Sequence, residues 1–116
     1  MKLSRLVPSR VVNLDEDKGF NGRIIDCIDK ALDTFGPGTK ATIYYQLREI
    51  HGLTSLDFQS KPNVMIDHLR EILGVAGSSL IEKLIVKEIK ASFDLKMNDG
   101  TSLAEAIDKA RKKFFE

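Results

Sequence analysis

The chain carries one cysteine, Cys27, so no disulfide can form within it, which suits a reducing compartment. It has little surplus of charge: the formal net charge is +1, which gives no global field toward nucleic acid or a membrane surface. No segment approaches the length of an apolar membrane span. Met1 to Val12 mixes apolar and basic residues around Pro8, with no continuous apolar stretch of the secretory kind. These absences predict a cytoplasmic protein that makes no use of a membrane. A Gly-Lys-Ser/Thr ending is missing from the glycine-bearing stretch Gly74-Val75-Ala76-Gly77, and no strand pattern precedes it, which excludes a nucleotide-binding phosphate loop.

What is present is one domain's worth of chain, 116 residues with 42% hydrophobic and 30% charged side chains. That length buries a core without disulfides or metal. The richest stretch is 78–93. There Leu80, Ile81, Leu84, Ile85, Ile89 and Phe93 recur at helical spacing, and Val86 widens the stripe. At about 100° per residue the apolar arc covers more than half the circumference, leaving a strip of Lys83, Lys87, Lys90 and Asp94. Such a helix needs cover on several sides, as the centre of a bundle or one side of a dimer seam. Glu88 falls inside this arc, at its edge or paired with a cation.

Around it the sequence predicts an all-helical bundle of five helices with 78–93 central, preceded by an extended N-terminal arm, residues 1–19. Residues 20–116 form the single helical domain. A first helix from about Asn21 to Phe35 places Ile24, Ile28, Leu32 and Phe35 on one face, with Asn21 as its cap. Gly36-Pro37-Gly38 stops it. A second, Lys40 to His51 behind Thr39, buries Ile43, Leu47 and Ile50 and ends at Gly52. Leu53 to Ser60 reads as a connector whose Leu56 and Phe58 fold back onto the bundle. A third helix, Lys61 to Leu73, is capped by Ser60, has Pro62 in its first turn, and buries Met65, Leu69, Ile72 and Leu73. Ser79 and Glu82 have capping-box spacing ahead of the central helix, and Ser102 and Glu105 have it ahead of the last. The last helix, 102–115, carries Leu103, Ala106, Ile107, Ala110 and Phe114 as its stripe.

No catalytic or metal-ligating constellation can be read, and no cofactor is implied. Cys27 reads as a buried, inert thiol on the flank of the first helix, because no local sequence supplies a base. His68 reads as a core or boundary histidine. An enzyme would need Cys27, His51 or His68 to converge with a carboxylate in a pocket. The leading expectation is therefore a non-enzymatic interaction or regulatory domain that binds a protein partner or itself as a homodimer, with Tyr45, Val86, Phe114 and Phe115 as candidate interface residues. The alternative is nucleic-acid binding, with Lys2, Arg5 and Arg10 of the arm and Lys109, Arg111, Lys112 and Lys113 of the last helix on phosphate. The helix dipole alone accounts for that basic C-terminal turn.

Phe35-Gly36-Pro37-Gly38 leading into Ile43-Tyr44-Tyr45-Gln46-Leu47, then Gly52-Leu53, Lys61-Pro62, Leu69, Leu73-Gly74 and Leu80-Ile81-Glu82-Lys83-Leu84-Ile85 resemble a small archaeal helical domain family of uncharacterised role. Its members occur alone or as an output module of archaeal signal-transduction chains. The resemblance covers residues of about 20–95 and leaves the arm and the last helix outside. It implies an interaction or regulatory domain and brings no active-site residues.

Overall fold

The computed structural model describes residues 19–98 and 100–116. The readings placed on the arm, including Lys2, Arg5 and Arg10, lie outside the described residues. Among the described residues every regular element is a helix. We number them α1 (19–33), α2 (Pro37–Tyr45, continued by a wider turn at Gln46–Ile50), α3 (Ser55–Ser60), α4 (Pro62–Phe93, broken at Gly74) and α5 (Leu103–Phe114). The count of five agrees with the sequence, but the partition differs. The expected third and central helices run on from one another across a kink, and the expected connector holds a helix of its own.

Each shift has a local cause. α1 begins before Asn21 because Phe20 is drawn into the core, where its ring meets Phe93 at 5.7 Å and Phe114 at 5.5 Å. Packing there overrides the polar cap. α2 begins at Pro37 rather than behind Thr39, since proline's fixed φ suits the first helical position and the first helical bond already runs from Lys40 N to Gly36 O, 3.0 Å. Its end is a π-type turn, closed by the His51 N–H donating five residues back to Gln46 O, 3.0 Å. The wider turn advances each residue by a smaller angle, so Ile50 leaves the face of Ile43 and Leu47 and stands exposed. Gly52, at φ 71°, then stops the helix in the left-handed region, as the sequence predicts.

α3 owes its existence to Thr54 and Asp57. The Asp57 N–H donates to Thr54 Oγ1 at 3.2 Å and the Thr54 N–H to Asp57 Oδ2 at 2.9 Å, a reciprocal capping box. The bond from the Thr54 N–H to the carboxylate lowers the Asp57 pKa. Phe58 is buried and stacks on Tyr44 at 6.2 Å, whereas Leu56 faces solvent, contrary to expectation. Ser60 ends α3 instead of capping α4.

Gly74 adopts φ 82° and ψ 176°, and the helix resumes directly after it. Ser79 and Glu82 are thus interior to α4 and cap nothing there. Glu82 serves another helix: its Oε2 accepts from the Leu103 N–H, 2.9 Å, adding to the Ser102–Glu105 capping box of α5. Beyond the kink Ile81, Ile85, Val86, Ile89 and Phe93 enter the core together with Ile24, Ile28 and Leu32 of α1 and Leu103, Ala106, Ile107 and Ala110 of α5. This confirms the second half of α4 as central. Leu80 is the part of its wide arc that stays outside, and Leu73 before the kink is also exposed rather than buried.

Candidate functional site

The four expected interface residues do not share one surface. Val86 is 6% exposed and belongs to the core, so little of it is open to a partner. Phe114 is half-buried and, with Phe115 at 4.9 Å, covers Phe20. The Phe114 ring helps close the chain on itself, while Phe115 keeps 39% of its surface exposed. Tyr45 is exposed on α2 and enters none of the ring contacts among the described residues. Its neighbour Tyr44 is the structural one. The Tyr44 hydroxyl donates to Asp29 Oδ1 at 3.1 Å, Lys40 Nζ bridges Asp29 and Asp33 at 3.1 and 2.6 Å, and the Arg48 guanidinium lies 4.9 Å over the Tyr44 ring. Burial, reinforced by the negative charge of Asp29, pushes the Tyr44 phenol well above the usual tyrosine range.

The basic C-terminal turn is largely committed. Arg111 donates to the buried Gln59 Oε1 at 2.6 Å and lies 5.0 Å over the Phe20 ring. Lys112 pairs with Asp108 at 3.2 Å, and Lys113 Nζ donates to Asp94 O at 3.0 Å. Asp94 is the left-handed residue that ends α4, so Lys113 reaches the end of the neighbouring helix. Of the expected phosphate contacts in α5, Lys109 alone makes no hydrogen bond or ion pair among the described residues.

Cys27 is buried beside a cleft of about 340 Å³ lined by Arg23, Asp26, Lys30, Glu88 and Ser92. Burial pushes its thiol pKa up, against the lowering contact with Ser92, which disfavours the thiolate. Glu88 lines that cleft beside Arg23 and Lys30, at the edge of the apolar arc. Arg23 itself donates to Ser92 O and lies 4.1 Å over the Phe93 ring. A second cleft, of about 660 Å³, is lined by Leu84, Val86 and Met97 together with Lys83, Lys87 and Lys90.

The two histidines meet, which sequence spacing did not reveal. The turn at Gln46–Ile50 delivers His51 against α4, where its ring lies 4.1 Å from that of His68, tilted by 34°. Glu71 follows His68 by one helical turn, with Oε2 3.4 Å from His68 Nδ1. That approach lacks hydrogen-bond geometry, so Nδ1 is buried without a hydrogen-bond partner. Donor atoms of His51, His68 and Glu71 all lie within 4.8 Å of one another. The usable signal in the sequence was the His68-x-x-Glu71 spacing together with a helix end at His51.

Among the described residues no helix is long and apolar enough to cross a membrane. No protein family, curated protein or solved structure matches the chain.

Proposed function

We propose that this chain is a non-enzymatic interaction module that associates with a second copy of itself through the corner at Gly74. The observation that carries the reading is the exposure there. From residue 72 to 81 no side chain is charged, yet Val75 is 69%, Leu80 49% and Leu73 36% exposed. Charged residues, Arg70 and Glu71 before and Glu82 and Lys83 after, frame an apolar elbow. Apolar surface framed in this way characterises association sites. A net charge of +1 sets little repulsion between copies. The disfavoured Cys27 thiolate and the resemblance to archaeal output domains support an interaction role over an enzymatic one.

The area bounds the strength. Together the three side chains expose the equivalent of roughly one and a half residues, worth about 3 kcal/mol per copy at roughly 2 kcal/mol for a buried Val or Leu. A two-fold contact doubles that to about 6 kcal/mol, close to the cost of bringing two chains together. The association is therefore weak and reversible, and populated only at high protein concentration. Sedimentation across a concentration series tests it. The mass of the parent chain is expected to rise toward that of a dimer, and the Val75→Asp/Leu80→Asp double variant is expected to stay monomeric. A parent that remains a monomer throughout refutes the reading. So does salt-sensitive binding of a DNA duplex by a chain whose mass does not change, an outcome that moves the function to nucleic acid.

A further inference from the structure

We propose that His51, His68 and Glu71 bind one divalent transition-metal ion of the zinc class, clamping the end of α2 to α4. Two imidazoles and one carboxylate are a ligand set suited to zinc and its neighbours, and a poor one for magnesium or calcium, which take oxygen shells. These are the only two histidines of the chain, and the fold brings their rings to 4.1 Å, one just past the end of α2 and the other on α4.

The distances fit with small adjustment. A zinc ion about 2.0–2.2 Å from each nitrogen and oxygen holds neighbouring donors roughly 3.3 Å apart. The His68 Nδ1 to Glu71 Oε2 separation is already 3.4 Å. The other donor separations, all within 4.8 Å, close through a reorientation of the imidazole rings, which stand 4.1 Å apart and tilted by 34°. His51 lies beyond the last helical residue and Glu71 is on the surface, so neither movement disturbs the core.

Two further observations favour a ligand over simple packing. His68 Nδ1 is buried and makes no hydrogen bond, although a carboxylate oxygen lies close to it. Buried polar atoms are ordinarily partnered, and a cation held between nitrogen and carboxylate would satisfy both. The second observation is the π-type turn that carries His51. Such turns cost regular hydrogen bonding and are frequent where a side chain is aimed at a function. Glu71 stands just ahead of the Gly74 kink, so a bound ion would also fix the helical turn that leads into the elbow. The proposal does not depend on self-association.

The test uses the untagged full-length chain and Zn²⁺ in competition with a chromophoric chelator, alongside NMR of the imidazole signals. One ion per chain is expected, with both histidine signals shifting together. His51→Gln and His68→Gln are each expected to weaken binding at least tenfold, Glu71→Gln to weaken it less, and Mg²⁺ not to compete. Affinity that persists in both histidine variants overturns the proposal, since other groups then hold the ion. The parent chain decides the matter even if a variant misfolds: zinc that leaves both imidazole signals unmoved, or no binding below about 100 µM, refutes it.

Discussion

Replacing Gly74 by alanine should cost about 1–3 kcal/mol, entirely through the backbone. At φ 82° and ψ 176° the residue occupies a region that side-chain-bearing residues essentially do not populate. A Cβ built there meets nothing within 4 Å, so no collision adds to the cost. Gly22 supplies the opposite sign from the same change of atoms. It lies inside α1, its Cβ position is also open, and its φ is not positive. Alanine there should stabilise by about 0.5–1 kcal/mol, because the helix no longer has to restrain a glycine. For a chain of this size, about 4 °C per kcal/mol puts Gly74→Ala roughly 4–12 °C below the parent in Tm and Gly22→Ala roughly 2–4 °C above it. Thermal and urea unfolding followed by circular dichroism measure both. Gly77 adds a second, independent cost: its Cβ would lie 2.8 Å from Leu73 Cβ, an atom fixed to the backbone. A Gly74→Ala chain as stable as the parent would refute the claim that glycine geometry sets the corner. Relaxation into one straight helix does not rescue it, because Ile81, Ile85 and Ile89 would then lose their places against α1 and α5.

Phe114→Ala should lower stability by about 2 kcal/mol, roughly half the cost of a fully buried phenylalanine, and leave the mass in solution unchanged; a shift in mass without loss of stability would restore Phe114 as an interface residue. The raised Tyr44 pKa gives an alkaline slope. The folded chain holds this proton more tightly than the unfolded chain, so the contribution is complete below about pH 10 and is lost as pH rises above it. Urea unfolding between pH 9 and about 11 should show that decline, and Tyr44→Phe should flatten it; an unchanged slope in the variant would assign the effect elsewhere.

The helical faces were legible because they follow from periodicity. Ile24, Ile28 and Leu32, then Ile81, Ile85 and Ile89, then Leu103, Ile107 and Ala110 are buried as their spacing requires. The failures are local events that spacing does not encode. Glu82 shares capping-box spacing with Ser79, yet its carboxylate goes to a different helix, because the kink at Gly74 removed any helix start for it to cap. Val86 widens the stripe in sequence, and whether that widening becomes surface or core depends on where α5 docks. The exposed elbow was hidden for the converse reason: Leu73 and Leu80 look like core residues until the turn between them carries both to the outside.

The histidine cluster was illegible for a reason shared with Ile50. Both lie in or just after the same π-type turn, and a prediction at uniform α-helical pitch misplaces both in the same sense. Ile50, assigned to the core, is turned outward; His51, the last residue of the expected helix, is brought onto His68. An exposed isoleucine is an unfavourable result of a turn that also gives up regular hydrogen bonds. The gain has to be sought in what the turn places next to α4. The turn brings Leu53 into the core, its N–H donating to Leu47 O at 2.9 Å, and it sets the His51 ring against that of His68. The irregularity thus serves the packing of Leu53 and also positions the imidazole that the proposed ion would use.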